Sequence, residues 1–236
     1  MTLTMHPVRV VPLCSRYAPA VAFAVLPLMA QGAGLEDAFA TMDKIAQQFR
    51  AVSTDIKRDV YTAVIDDHEK DMGTMKAKRD KHDTLIRIDF TSPAEKVLAL
   101  DDTKAQVYTP KTKTIQELDV KKGVVDQFLL LGFGASSAEI KEHYEVTYLG
   151  TEKIGADGTW HLQLIPRSSD VLKYLKKAEL WISQSSGLPM QEKLYTSTSG
   201  DYELVYYSNV KLNPSLPDSA VKLNPPKGVT ISRPRL

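Results

Sequence analysis

The feature that most constrains this fold is a pair of alternating segments, joined by a short charged turn, at residues 73–90. In the second segment Ile86, Ile88 and Phe90 alternate with charged side chains. A period of two places the apolar side chains on one face of a strand and the charged side chains on the other. The stretch therefore predicts a β-hairpin in a sheet that has one apolar face.

One amphipathic helix precedes the strands, because the apolar residues of segment 35–49 recur at helical spacing. After Ser53, bulky residues alternate in eleven short segments that end at charged, proline or glycine turns. The segments are 59–66, 72–79, 84–91, 96–101, 105–108, 114–118, 144–154, 159–166, 178–183, 190–196 and 202–210. The chain shows no βαβ alternation and no repeat, so we predict a mainly β (α+β) fold. Its core is a strongly curved antiparallel sheet, or incomplete barrel, of about eleven strands.

The central segment, residues 123–142, interrupts this pattern and predicts one or two short helices. Residues 128–133 are apolar nearly all round, whereas residues 137–142 begin with a capping-box pattern. The apolar part is either buried between sheet and helix or forms part of a movable lid. We therefore predict a helical lid on the concave apolar side of the sheet, over a packed interior or an apolar cavity.

Apolar side chains expected on that concave side are the candidates for lining a lipid cavity. They are Phe39, Met42, Ile86, Ile88, Phe90, Phe128, Leu129, Leu131, Trp160, Leu162 and Leu164. The C-terminal tail from Leu216 onward is rich in proline, which predicts an extended segment.

The N-terminus has the composition of an export signal. Residues 1–16 contain two arginines and no acidic residue, and an apolar run, broken by two prolines, follows at residues 17–30. This run is too short, and with its two prolines too broken, for a membrane-spanning helix. We predict that residues 1–33 are a cleaved signal peptide, with cutting after Ala30 as an alternative. Residues 34–236 then form a single periplasmic domain.

The remaining composition argues against several functions. Residues 34–236 carry 28 basic and 29 acidic residues, which does not favour binding to nucleic acid. Cys14 leaves with the signal, and the remaining histidines lack ligand spacing. The acidic stretch 66–71 lacks the order of a calcium loop and is interpreted as a solvated hairpin turn. We expect no enzyme, with no catalytic residue, no metal and no cofactor.

Several motifs together resemble the LolA family of periplasmic lipoprotein carriers. Residues 73–79 resemble the motif Gly-x-Leu-x-x-x-Arg-Pro, with Asp80 where the family usually has proline. The other matching segments, in family order, are Ser92-Pro93, residues 98–102, residues 108–110, residues 216–219 and residues 225–229. The likeness covers nearly the whole chain after the signal.

This resemblance implies a soluble carrier that binds the acyl chains of lipoproteins and ferries them from the inner to the outer membrane. It implies as partners an inner-membrane lipoprotein-releasing transporter and an outer-membrane receptor. Arg79 falls on the family arginine tied to holding and releasing cargo, and it is the candidate gate of the lid. Two alternatives stay open: a carrier of another lipid or glycolipid, and a non-carrying envelope interaction or sensor domain. We expect a monomer.

Overall fold

The structure is a computed structural model that describes residues 29–80, 83–101, 103–120 and 131–234. The helices are α1 (Met29–Gln48) and α2 (Ser137–His143). The strands are β1 (Ala51–Thr62), β2 (Asp67–Asp80), β3 (Asp83–Ser92), β4 (Lys96–Leu100), β5 (Lys104–Thr109), β6 (Thr114–Asp119), β7 (Tyr144–Ile154), β8 (Asp157–Pro166), β9 (Lys177–Ser183), β10 (Pro189–Tyr195), β11 (Tyr202–Leu212) and β12 (Thr230–Ser232).

All of these strands belong to one 12-stranded sheet in the order β12-β6-β5-β4-β3-β2-β1-β11-β10-β9-β8-β7. Neighbours pair antiparallel, except that β12 runs parallel to β6. The sheet is curved and does not close, and helices cover one side, so the predicted fold class is confirmed. The strand beyond the predicted eleven is β12, which lies in the tail that we predicted to be only extended.

The first hairpin differs from its predicted bounds. β1 begins at Ala51, where polar residues hide the alternation: Thr54 is buried although it is hydrophilic. The turn is residues 63–66, and β2 begins at Asp67. The interpretation of residues 66–71 as a solvated turn is therefore wrong, because Asp71 is a buried strand residue.

The predicted helices are present where the structure describes them. α1 begins at Met29, before the predicted start, and it packs against β7 and β8. α2 has the expected capping box, with Ser136 as N-cap and Glu139 as its partner. Among the described residues, no helix is both long and apolar enough to span a bilayer. Of the predicted signal peptide, residues 1–28 lie outside the described part of the chain.

The core lies on one side of the sheet, which we call the inner face, and divides into two clusters. The first contains Ala38, Phe39, Met42, Leu131, Ile140, Tyr144, Leu162, Leu164, Val171, Leu175, Ala178, Leu180 and Ile182. The second contains Phe49, Val52, Ile56, Met75, Ala77, Ile86, Ile88, Phe90, Phe133, Val205 and Tyr207. Leu180 of the first cluster pairs with Glu192, which pairs with Val205 of the second. Paired residues project to the same side, so both clusters share the inner face.

The C-terminal segment, residues 213–229, crosses the opposite, outer face. Arg87 Nη1 donates to the carbonyl oxygen of Lys222 at 3.0 Å, and Lys78 Nζ donates to that of Leu216 at 3.2 Å. Val221 of this segment is 1% exposed. The crossing delivers β12 to the edge strand β6 and thereby protects that edge from other pairing.

Candidate functional site

The candidate site is the boundary between the two clusters and the segments that cover it. The cover consists of α1, the turn at residues 131–134, and α2. Leu131 of the turn belongs to the first cluster and Phe133 to the second. The Phe133 ring meets the Tyr207 ring edge-on, with centroids 4.8 Å apart. The turn therefore spans the boundary and fills it with an aromatic side chain.

The glycines beside Phe133 are required by close packing. A Cβ atom at Gly134 would lie 2.6 Å from the Phe49 ring, and Gly132 has a φ of +85°. Only glycine adopts that φ readily, and only glycine leaves room for the ring. The Gly-Phe-Gly sequence therefore seats the turn against the residue that follows α1.

Arg79, at the end of β2, contacts this turn directly. Its Nη2 donates a long hydrogen bond of 3.4 Å to the carbonyl oxygen of Gly134. The guanidinium carbon lies 5.4 Å from the centroid of the Phe49 ring, within range of a cation–π interaction. The structure thus places the predicted gating residue against the cover, and its gating role stays a prediction.

Close backbone packing explains why the motif that ends at Arg79 begins with a glycine, Gly73. A Cβ atom at Gly73 would lie 2.2 Å from the carbonyl oxygen of Asp89 in β3. Register between β2 and β3 shifts at this point, which marks a β-bulge. Gly73 therefore has a structural role in bringing β3 close to β2.

The two helices of the cover are joined by a carboxylate. Asp43 of α1 accepts hydrogen bonds from the Ser137 backbone N–H at 2.6 Å and from the Ser137 hydroxyl at 2.7 Å. Because Ser137 is the first residue of α2, the bonds fix the end of one helix to the side of the other. Sequence reasoning missed this pair, which has no local signal.

The predicted cavity-lining residues lie mostly on the inner face. The first cluster includes Phe39, Met42, Leu131, Leu162 and Leu164, with Trp160 packed against it, and the second includes Ile86, Ile88 and Phe90. Apart from Trp160, which is only partly buried, each of these is at most 7% exposed. Phe128 and Leu129 lie outside the described residues.

The inner face also carries polar side chains that the sequence analysis did not identify. One row across six neighbouring strands reads Leu162, Leu180, Glu192, Val205, Arg58 and Asp71. A sequence signal was available for Glu192, since it shares the alternation of Leu194 in β10 and so occupies a core position. The row therefore places a carboxyl group between the two apolar clusters.

Glu192 is 2% exposed, and its Oε2 accepts a hydrogen bond of 2.7 Å from the Tyr207 hydroxyl. Its other oxygen, Oε1, has no hydrogen-bond partner within the described part of the chain. Burial raises the pKa of Glu192 to about 8, with Glu203 adding to the rise and the Tyr207 bond opposing it. Burial, followed by the neighbouring Glu192, also raises the pKa of Tyr207. The carboxyl is thus mainly neutral at pH 7.

Farther along the same row, Arg58 lies between two carboxylates. Its Nε is 3.0 Å from Asp71 Oδ2, and its Nη1 is 3.6 Å from Glu203 Oε1. Burial raises the pKa of Glu203, and Arg58 opposes that rise. The guanidinium carbon also lies 4.9 Å from the Phe90 ring centroid. This end of the inner face is therefore charged but paired.

The outer face carries a separate polar cluster around His161. The imidazole stacks on the Trp181 ring at 4.1 Å, and its Nδ1 lies 2.8 Å from Glu152 Oε1. Trp181 Nε1 donates to the other oxygen of Glu152 at 2.9 Å. Together these contacts give His161 a packing role. No group of histidine and acidic side chains within the described ranges has the arrangement of a metal site.

The sequence matches one protein family. The family described as the MucB/RseB N-terminal domain matches residues 59–225, which is more than half of the chain. A comparison with curated proteins finds no match.

Solved structures give the following likenesses. An uncharacterized conserved protein from Thermus thermophilus has a TM-score of 0.52 and 11% identity, over 86% of this chain and 98% of that one. A LolA superfamily protein from Nitrosomonas europaea has a TM-score of 0.42 and 17% identity, over 80% of this chain and 97% of that one. A chain of the MucA/MucB complex from Pseudomonas aeruginosa has a TM-score of 0.43 and 13% identity, over 80% of this chain and 61% of that one. At these identities the likeness concerns the fold alone.

Proposed function

The chain belongs to the MucB/RseB N-terminal domain family, and from this premise we propose that it is a periplasmic domain that binds the acyl chains of lipoproteins. The LolA-like fold family expected from the sequence motifs is confirmed. In the proposed role, acyl chains enter between the inner face and the cover, and the domain carries them from the inner to the outer membrane. The role is one of binding and needs no catalytic residue.

The observation that carries the proposal is the way the cover is held. Its turn inserts Phe133 and Leu131 into the two clusters, and these side chains are apolar, like the chains of a lipid. Each methylene removed from water contributes roughly 0.8 kcal/mol. An acyl chain can therefore replace the Leu131 and Phe133 side chains at little net cost in free energy. The Arg79 to Gly134 bond, at 3.4 Å, is long enough to break in the exchange.

Arg79 is proposed as the gate of this site. In the closed state it donates to the turn, and when cargo displaces the turn the guanidinium returns to water. A ligand shifts the open and closed populations only by its differential affinity for the two states. A weak closing contact therefore permits both loading and release.

A second candidate is an envelope interaction or sensor domain that does not carry cargo between membranes. Two observations favour it: the matched family includes MucB, which is found in complex with MucA, and the inner face is packed closed. In that role an acyl chain, or a protein partner, changes the state of the cover and nothing is transferred. The two candidates differ in the fate of the bound lipid.

The experiment that tests the proposal is native mass spectrometry with lipid extraction on protein purified from the cell envelope. We expect triacylated lipoprotein to co-purify with the wild type and in a larger amount with Arg79→Met, because loss of the closing contact favours the open, lipid-bound state. Transfer of that lipoprotein to outer-membrane vesicles supports the carrier, whereas retention with capture of a protein partner supports the sensor. Phospholipid or glycolipid alone supports a carrier of another lipid. Protein that remains empty, even when lipoprotein is supplied in detergent, contradicts all lipid-binding roles.

A further inference from the structure

The buried carboxyl of Glu192 has a hydrogen-bonding capacity that the described part of the chain does not use. Tyr207 occupies Oε2, while Oε1 is buried with no partner in the described ranges. Buried polar atoms are nearly always paired, and leaving one unpaired costs about 1–3 kcal/mol. Within the described residues, this unpaired oxygen at a core position leaves a place for a bound partner.

The position of this oxygen indicates what that partner is. Glu192 lies between Leu180 of the first cluster and Val205 of the second. The covering turn crosses the same boundary, since Leu131 and Phe133 belong to different clusters. A group that replaces this turn therefore meets the apolar side chains of both clusters and the unpaired Oε1 of Glu192, with the Tyr207 hydroxyl beside it.

The charge state of Glu192 limits which chemical groups it can bind. Burial keeps the carboxyl mainly neutral at pH 7, so it carries a proton that it can donate. An anionic headgroup is disfavoured there, because Glu203 lies nearby and a buried charge without a counter-ion is costly. Arg58, the cation of the same row, is already paired with Asp71 and Glu203. A neutral hydrogen-bond acceptor attached to a hydrocarbon chain can accept the Glu192 proton without placing a charge in the core.

We propose that Glu192 is the polar contact of an acyl-lipid site on the inner face, where its Oε1 donates a hydrogen bond to the ester or amide carbonyl oxygen of a bound acyl chain. The inference rests on the proposed function and adds the chemical group that is recognised. Ester carbonyls occur in phospholipids, and both ester and amide carbonyls occur in triacylated lipoproteins. The site requires the turn at residues 131–134 to move aside.

The test compares lipids that differ only in the carbonyl group. Protein purified after expression of the full chain is mixed with equal amounts of dipalmitoyl phosphatidylethanolamine and its dihexadecyl ether analogue, and native mass spectrometry gives the bound ratio. The ether has similar alkyl chains but no carbonyl oxygen. We expect the wild type to prefer the ester by about tenfold, the effect of one buried hydrogen bond. A tripalmitoyl lipopeptide, competed against each lipid, shows which source of carbonyl is bound more tightly.

Three variants complete the test. Glu192→Leu is expected to bring the ratio close to one, while Glu192→Gln, which keeps a donor, retains a preference for the ester. Gln191→Leu is the matched control, since Gln191 is the preceding residue of β10, is also buried and points to the outer face. It is expected to keep the wild-type ratio.

The outcomes separate this inference from the proposed function. Equal binding of ester and ether by the wild type overturns the role of Glu192 and leaves acyl-chain binding intact. Binding of neither lipid nor lipopeptide overturns the proposed function, and the inference with it. If Glu192→Leu does not fold, the wild-type ratio and Glu192→Gln still decide the question, because loss of preference in the glutamine variant contradicts a donor role.

Discussion

Arg79 Nη2 lies 3.4 Å from the carbonyl oxygen of Gly134, so the end of the β2 strand is joined to the segment that covers the inner face. The same guanidinium lies over the Phe49 ring. One side chain therefore contacts both the covering turn and the residue that follows α1. We propose that these two contacts contribute to holding the cover closed.

Replacing Arg79 by methionine is expected to loosen the turn without unfolding the sheet. The change removes a hydrogen bond and a cation–π contact, each of which contributes about 1 kcal/mol or less at a partly exposed site. Amide hydrogen exchange at residues 131–134 should accelerate about fivefold, as expected for the loss of about 1 kcal/mol. Lys57→Met is the matched control, because Lys57 is exposed in β1 and distant in sequence from the turn. Unchanged exchange in Arg79→Met contradicts the closing role of this arginine.

Adding one methyl group at Gly134 is expected to displace the turn from its seat. The new Cβ atom would lie 2.6 Å from the Phe49 ring, and the ring is buried, so either the ring or the turn must move. We expect Gly134→Ala to lower the free energy of unfolding by about 1–3 kcal/mol, measured by urea denaturation. Gly158→Ala serves for comparison, because its Cβ atom meets the flexible end of Gln184. Equal stability of the two variants would show that the turn is not tightly seated.

The buried Glu192 predicts a pH dependence of stability. Its pKa is about 8 in the folded protein and 4.5 ordinarily, so between these values the folded state holds a proton that the unfolded state releases. Stability from this group is therefore full below about pH 4.5 and falls as pH rises towards 8, with a slope of at most about 1.4 kcal/mol per pH unit.

Glu192→Gln tests this dependence, because glutamine does not titrate. The free energy of unfolding of the wild type minus that of the variant should decrease between about pH 5 and pH 8. Urea denaturation at several pH values measures both proteins. A difference that stays constant over this range would mean that Glu192 is ionised when the protein is folded.

The tail strand β12 is expected to depend on Glu117 of β6. Arg233 Nε donates to Glu117 Oε1 at 2.9 Å, and this bond, followed by that from Gln106, lowers the Glu117 pKa to about 2. The stabilisation is present above the ordinary pKa of 4.5 and is lost as pH falls towards 2.

Arg233→Gln should therefore raise the Glu117 pKa, which carboxyl titration by NMR measures directly. Amides of β12 should exchange faster in this variant than in Lys211→Gln, whose lysine is exposed on β11. A Glu117 pKa that does not move would assign the shift to Gln106 and Lys104.

The alternation of residues such as Ile86, Ile88 and Phe90 was sufficient to predict the strands, the apolar face and the open sheet. This works because a strand has a period of two, which is visible within a few residues. β1 was placed too late because Thr54 is polar yet buried, and its environment depends on β11, 154 residues away at Ser208. β12 was missed because its strand character comes from pairing with β6.

The sequence by itself determined the local elements, the resemblance of the Gly73 to Arg79 motif and the apolar character of the inner face. Each of these depends on neighbouring residues or on composition. Tertiary structure decided which groups meet: Arg79 with Gly134, Asp43 with Ser137, and Glu192 with Tyr207. These pairs join different elements, and burial then sets the charge of Glu192, so no pattern within one segment could reveal them.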